Sequence, residues 1–94
     1  MPIAALREEI NRIDSQIIAL IGERQKIAGK IAQAKFNEGV PIHDEERTRK
    51  VMEEAFNMAV EQKINPVYVK EIFSILIIMS EERQRECSGE GNLP

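Results

Sequence analysis

No proline interrupts residues 3 to 36, and apolar side chains return there every third or fourth position, at Ile3, Leu6, Ile10, Ile13, Ile17, Leu20, Ile27, Ile31 and Ala34. Such spacing lines one face of an α-helix. Gly22 and Gly29 each weaken a helix by up to roughly 1 kcal/mol relative to alanine, but the pattern runs straight through both. One long first helix is expected. At about 34 residues it measures on the order of 50 Å, whereas a compact domain of this size is roughly 30 Å across. The helix must overhang its own chain, and its seam stays apolar along the overhang. A symmetric pair of long helices packed side by side covers such a seam. The expectation is therefore an all-α, intertwined and obligate homodimer.

The rest of the chain supplies two more helices. Asn37, Glu38, Gly39, Val40 and Pro41 end the first, because glycine suits a C-terminal cap and proline cannot continue a helix. Asp44 is a good N-cap for a second helix, with Glu45 and Glu46 in the first turn where the macrodipole favours acids. Val51, Ala55, Met58 and Gln62 form its stripe. Asn65 and Pro66 then supply a cap and a first-turn proline. The third helix carries Val69, Phe73, Leu76 and Met79 and runs to about Glu86. Residues 1–87 are read as a single domain, with three helices per chain, and residues 88–94, rich in glycine, as a flexible tail.

Composition narrows the function classes. No Trp, one Tyr and three Phe suit an aliphatic helical interior. A net charge of -3 argues against nucleic-acid binding. Cys87 is the one cysteine and cannot form an internal disulfide, and no apolar run reaches the length of a signal or membrane segment. A soluble, cytoplasmic setting with no membrane contact is expected.

Polar residues break the apolar stripes on all three helices. Past Leu20 the next member of the first seam is Arg24, and a guanidinium in an apolar seam is costly unless paired. Lys35 follows within about 20° of the same face and roughly 16 Å along the axis. Arg47 heads the second-helix stripe, and the third-helix stripe continues into Ser80 and Gln84, an i, i+4 pair. Cations plus neutral donors describe a pocket for a small dianion. Arg7 lies about 25 Å and roughly 100° from Arg24 on the same helix. It reaches such a pocket only from the other chain of an antiparallel dimer, which gives two composite pockets per dimer.

Each of these residues has an ordinary alternative. Arg24 can snorkel from a core edge, and Lys35 can favour the helix C-terminal dipole. Asp44 can act only as a cap, Ser80 can bond back to its own helix, and Arg7 can simply be solvated. Convergence of all of them on one interior favours the pocket. His43 and Cys87 are read as structural or incidental, with no metal-ligand spacing and no nucleophilic constellation around them.

The segments ALREEINRIDSQIIALIGERQKIAGKIAQAK, GVPIHDEER and IFSILIIMSEERQ together resemble the helical AroQ class (type II) of chorismate mutases, over about residues 5 to 85. The order and spacing of the pieces carry the resemblance. It implies a dimer built on paired first helices, rearrangement of chorismate to prephenate in aromatic amino acid biosynthesis, and no metal or cofactor. By position it implies that Arg7 is donated by the neighbouring subunit and that Arg24 grips a substrate carboxylate. Lys35 matches the lysine that contacts the ether oxygen and a carboxylate, Asp44 the residue near the ring hydroxyl, and Arg47 the arginine beside the pocket. Ser80 and Gln84 match the third-helix pair whose glutamine bonds the ether oxygen. Thr48 departs from the pattern, standing where many members carry a glutamate directed at the ring hydroxyl. Isochorismate-pyruvate lyase, on the same fold, is the enzymatic rival: Asp44 favours the mutase and Thr48 keeps the rival open. A non-catalytic helical dimerisation module is the rival from another class. Because the chain stops soon after the third helix, no fused dehydratase, dehydrogenase or regulatory domain is expected.

Overall fold

The computed structural model describes residues 2–88, which fold into three α-helices with no strand among them. They are α1 (Ile3–Glu38), α2 (Glu45–Glu61) and α3 (Pro66–Cys87). Most of the tail read at 88–94 lies outside the described residues. At 1.5 Å per residue α1 is about 54 Å long, and it sets the longest dimension of a body measuring 55 × 27 × 18 Å.

The helix ends follow from local chemistry. Gly39 adopts the left-handed conformation at φ 70°, its N–H donates to the Phe36 carbonyl at 3.3 Å, and the Val40 N–H donates to that of Lys35 at 3.0 Å. This pair of bonds is a Schellman motif, and it stops α1 soon after Lys35. Asp44 caps α2 by accepting from the Arg47 N–H at 3.1 Å. Asn65 caps α3 by accepting from the Val67 N–H at 2.9 Å, with Pro66 in the first turn. The expected cap residues are all in these roles.

Packing within the chain is confined to one end of α1. The α3 helix lies between α1 and α2, whose backbones do not approach each other. Among the described residues the buried apolar ones are all alanines, Ala28 and Ala32 on α1 and Ala55 and Ala59 on α2, so α3 can approach both helices closely. At Gly29 a Cβ atom would lie 3.3 Å from the Cys87 sulfur, so a side chain there would crowd α3. The strip that the chain itself covers is thus rotated from the one the large apolar residues suggest. On α1, Ala28 and Ala32 take the contact while Ile27 and Ile31 stay partly open. On α2 it is Ala55 and Ala59, and Met58 is exposed, because contacts every fourth residue follow the crossing of α3.

The apolar seam from Ile3 to Leu20 is bare in the single chain, with Ile10 at 55% exposure and Ile17 at 49%. A second bare strip follows α3 through Ile72, Ile75 and Ile78, behind the covered strip of Val69, Phe73 and Leu76. A helix apolar on two sides is one that packs on two sides. Among the described residues no helix is long and apolar enough to cross a membrane.

Candidate active site

Where the three helices converge near the end of α1, they enclose a cavity of about 380 Å³. From α1 come Arg24, Ile27, Ile31 and Lys35; Ile42 and Asp44 come from the loop; Arg47, Thr48 and Val51 from α2; and Ile77, Ser80, Glu81 and Gln84 from α3. Apolar walls with a few convergent polar groups describe a site for a small ligand rather than a packing defect. Three cations stand against two carboxylates in the lining.

Helical spacing accounts for the convergence. Arg24 lies one turn before Ala28 on the face α1 turns toward α3. Its Nη1 reaches the Leu76 carbonyl at 3.5 Å and its guanidinium sits 6.0 Å from the centre of the Phe73 ring. Both contacts steer the cation and neither neutralises it. Lys35 Nζ donates to the Ile42 carbonyl, which the turn at Gly39 brings back over the helix end. Arg47 belongs to the first turn of α2, one turn before Val51. Four arginines outside the cavity, Arg12, Arg49, Arg83 and Arg85, pair with acids on their own helices, as Arg49 does with Glu53 at 3.0 Å and Arg83 with Glu86 at 3.1 Å. Arg24, Lys35 and Arg47 form no ion pair among the described residues.

Gln84, 5% exposed, is the one buried polar residue among those described. Its Nε2 donates to Ser80 Oγ at 3.0 Å, and its Oε1 is buried without a partner. A buried amide atom left unpaired costs roughly 1–3 kcal/mol. Rotating the amide by half a turn lets the Ser80 hydroxyl donate to Oε1 and frees the amide N–H for an acceptor in the cavity. Asp44 Oδ1 is engaged as the α2 cap while the residue also lines the cavity, so cap and lining roles coincide.

Glu81 was not singled out by the sequence, yet it lines the same cavity. Its carboxylate contacts His43 Nδ1 at 3.1 and 3.2 Å and Arg85 Nη2 at 3.7 Å. His43 Nε2 meets Glu45 at 2.8 Å. Hydrogen bonds to Glu45 and then Glu81, with the charge of Glu81 behind them, raise the His43 pKa above its ordinary value. No group of three or more His, Cys, Asp or Glu side chains among the described residues is placed to hold a metal ion.

Residues 6–85 match the family described as chorismate mutase type II. The chain belongs to that family. It is 31% identical over 84 residues to the chorismate mutase of Methanocaldococcus jannaschii, an alignment covering 89% of this chain and 85% of that one. It is 33% identical over 73 residues to the bifunctional chorismate mutase/prephenate dehydratase of Buchnera aphidicola subsp. Schizaphis graminum, covering 78% of this chain and 19% of that protein. The chain thus spans about one fifth of the length of the bifunctional relatives it matches. Among solved structures, a conserved hypothetical protein from Pyrococcus furiosus superposes with a TM-score of 0.68 at 35% identity, over 88% of this chain and 95% of that one. Of the eight positions that resemblance to the chorismate mutases singles out, seven line the one cavity, Thr48 included. The eighth, Arg7, is exposed on the distal part of α1 and is not in the lining.

Proposed function

We propose that this chain is a chorismate mutase that converts chorismate to prephenate in aromatic amino acid biosynthesis. The observation that carries the reading is the set of three cations, free of ion pairs among the described residues, that faces a buried amide across one cavity. Arg24 and Lys35 are partly covered, and partly covered cations without carboxylate partners are costly in a resting protein and become favourable when a dianion enters. Within the chain no carboxylate among the described residues pairs with them, and a non-catalytic dimerisation module has no use for a cavity beside them. Asp44 in the lining favours the mutase over isochorismate-pyruvate lyase.

The rearrangement is pericyclic: the C–O ether bond breaks as a C–C bond forms within one molecule, and no proton leaves the substrate. The site has two tasks. Arg24 and Arg7 of the partner subunit clamp the two carboxylates and fold the enolpyruvyl arm over the ring, an orientation effect that freezes the internal rotations of the arm in a near-attack conformer. Lys35 and the rotated amide of Gln84 donate to the ether oxygen as it gains negative charge, each such donor contributing on the order of 3–4 kcal/mol. Ser80 holds the amide in that orientation, Asp44 receives the ring hydroxyl, Thr48 replaces part of a carboxylate contact there, and Arg47 adds positive potential beside the pocket. Because the amide is neutral, kcat is expected to vary little with pH near neutrality.

The dimer supplies the missing clamp. Residues 7 and 24 are symmetric about positions 15 and 16, a point that lies within the bare seam of Ile3 to Leu20. Two α1 helices packed antiparallel about that point bury both seams and bring Arg7 of the partner subunit level with Arg24. A reducing cytoplasmic setting suits the free Cys87.

The test is incubation with chorismate and, separately, isochorismate, with the products identified by NMR. Prephenate from the first is the expected result. Pyruvate released from isochorismate without prephenate from chorismate would replace the mutase by the lyase, and turnover of neither would remove both.

A further inference from the structure

We propose that His43 is a positioning residue: by bridging Glu81 of α3 and Glu45 of α2 it holds the α1–α2 loop against α3 and keeps the Glu81 carboxylate engaged and its charge offset, so that it does not repel an anion in the cavity. The inference rests on the reading of the cavity as an anion site.

The loop between α1 and α2 carries two groups that shape the cavity, the Ile42 carbonyl that receives Lys35 and the Asp44 carboxylate. His43 stands between them. Because α1 and α2 do not pack on each other, the relation of Lys35 to Arg47 depends on this loop and on how it is tied to α3. His43 provides such a tie across 38 residues of sequence.

The tie also governs a charge. Glu81 adjoins Ser80, its side chain is only 16% exposed, and it lines a wall whose other groups suit a dianion. Left unpaired, that carboxylate repels the ligand. Both its oxygens are instead engaged by His43 Nδ1, and Arg85 stands at 3.7 Å from one of them.

The geometry selects one protonation state. Each ring nitrogen of His43 faces a carboxylate, and carboxylates only accept. A neutral imidazole has one N–H and can satisfy one of them; the imidazolium has two and satisfies both. The charged and titratable groups around the ring are Glu45 on α2, Glu81 with Arg85 on α3, neighbouring Asp44, and Lys35 of α1 on the adjacent carbonyl. Both bonded carboxylates raise the His43 pKa. The bridge is therefore complete below that raised value, and one of its two arms is lost as pH rises through it. Solvent exposure of the ring keeps its contribution to overall stability small, which leaves positioning as its main effect.

The experiment measures chorismate kinetics across the neutral range for wild type, His43→Gln and the double variant His43→Gln with Glu81→Gln. It also measures hydrogen exchange of the residue 39–44 amides without substrate. In wild type KM should rise about three- to fivefold as pH increases through the His43 transition, while kcat stays flat. His43→Gln should show the high KM at every pH, and removing the Glu81 charge in the double variant should restore the low one. Loop amides should exchange faster at high pH in wild type, and fast at all pH in His43→Gln. A wild-type KM profile retained by His43→Gln, or a fall in kcat alone, overturns the proposal. If the protein turns over no chorismate, the mutase reading fails, and loop exchange indifferent to both pH and His43→Gln then overturns the positioning role separately.

Discussion

The two halves of α1 belong to one unbroken helix and obey opposite rules. Residues 3–20 are apolar along a regular seam and exposed, while residues 21–38 contain arginine and lysine on the covered face, and bury alanine. Periodicity is the same in both halves; what differs is which chain lies opposite. In the second half α3 of the same chain covers the face, and the polar residues line a cavity. In the first half nothing among the described residues covers the seam. A repeat of large apolar residues therefore reports that a face will be covered and does not report by what.

The sharpest way to break the contrast is to place a charge in the bare half. Ile13→Glu puts an unpaired carboxylate into the proposed helix pair, at a cost of several kcal/mol. The expected outcome is loss of the dimer in sedimentation experiments, lower helix content by circular dichroism, and mutase activity reduced by at least about 10³-fold. A folded, active monomer would show that the two halves are independent after all. Arg24→Ala or Lys35→Ala should leave the dimer and its helix content intact while kcat/KM falls about 10²- to 10³-fold. Near-wild-type turnover in either variant would detach the chemistry from the cavity. Smallest is the expected effect of Ala32→Leu, which overfills the close α1–α3 contact and should cost about 1–3 kcal/mol in urea unfolding. An unchanged midpoint would mean the contact is looser than the complete burial of Ala32 indicates.

Helix number, helix order and the end points were legible because glycine, proline, asparagine and aspartate act within a few residues of themselves. Gly39, Asp44 and Asn65–Pro66 needed no tertiary information. The covered strips were less legible, because alanine at 28, 32, 55 and 59 is a weak signal beside isoleucine one position away. In the cavity, Arg24, Lys35, Arg47, Ser80 and Gln84 were visible as polar interruptions of apolar stripes, and a polar residue where the period demands an apolar one is conspicuous. Glu81 and His43 were not. An acid beside Ser80 looks like any solvated helix position, and its partner lies 38 residues away, a separation for which local spacing holds no sign.

The placement of α3 between two helices whose backbones do not approach each other has a mechanical consequence. Arg24 and Lys35 on one side and Arg47 on the other repel across the gap, and α3 pins the arrangement at its back together with the loop tied to it. An incoming anion works as a keystone, turning that repulsion into attraction and drawing the outer helices together, so tight binding and stiffening are one event. Sulfate or phosphate should accordingly raise the melting temperature of the ligand-free protein more than chloride at equal ionic strength, because shielding relaxes the repulsion while a doubly charged guest replaces it with a bond.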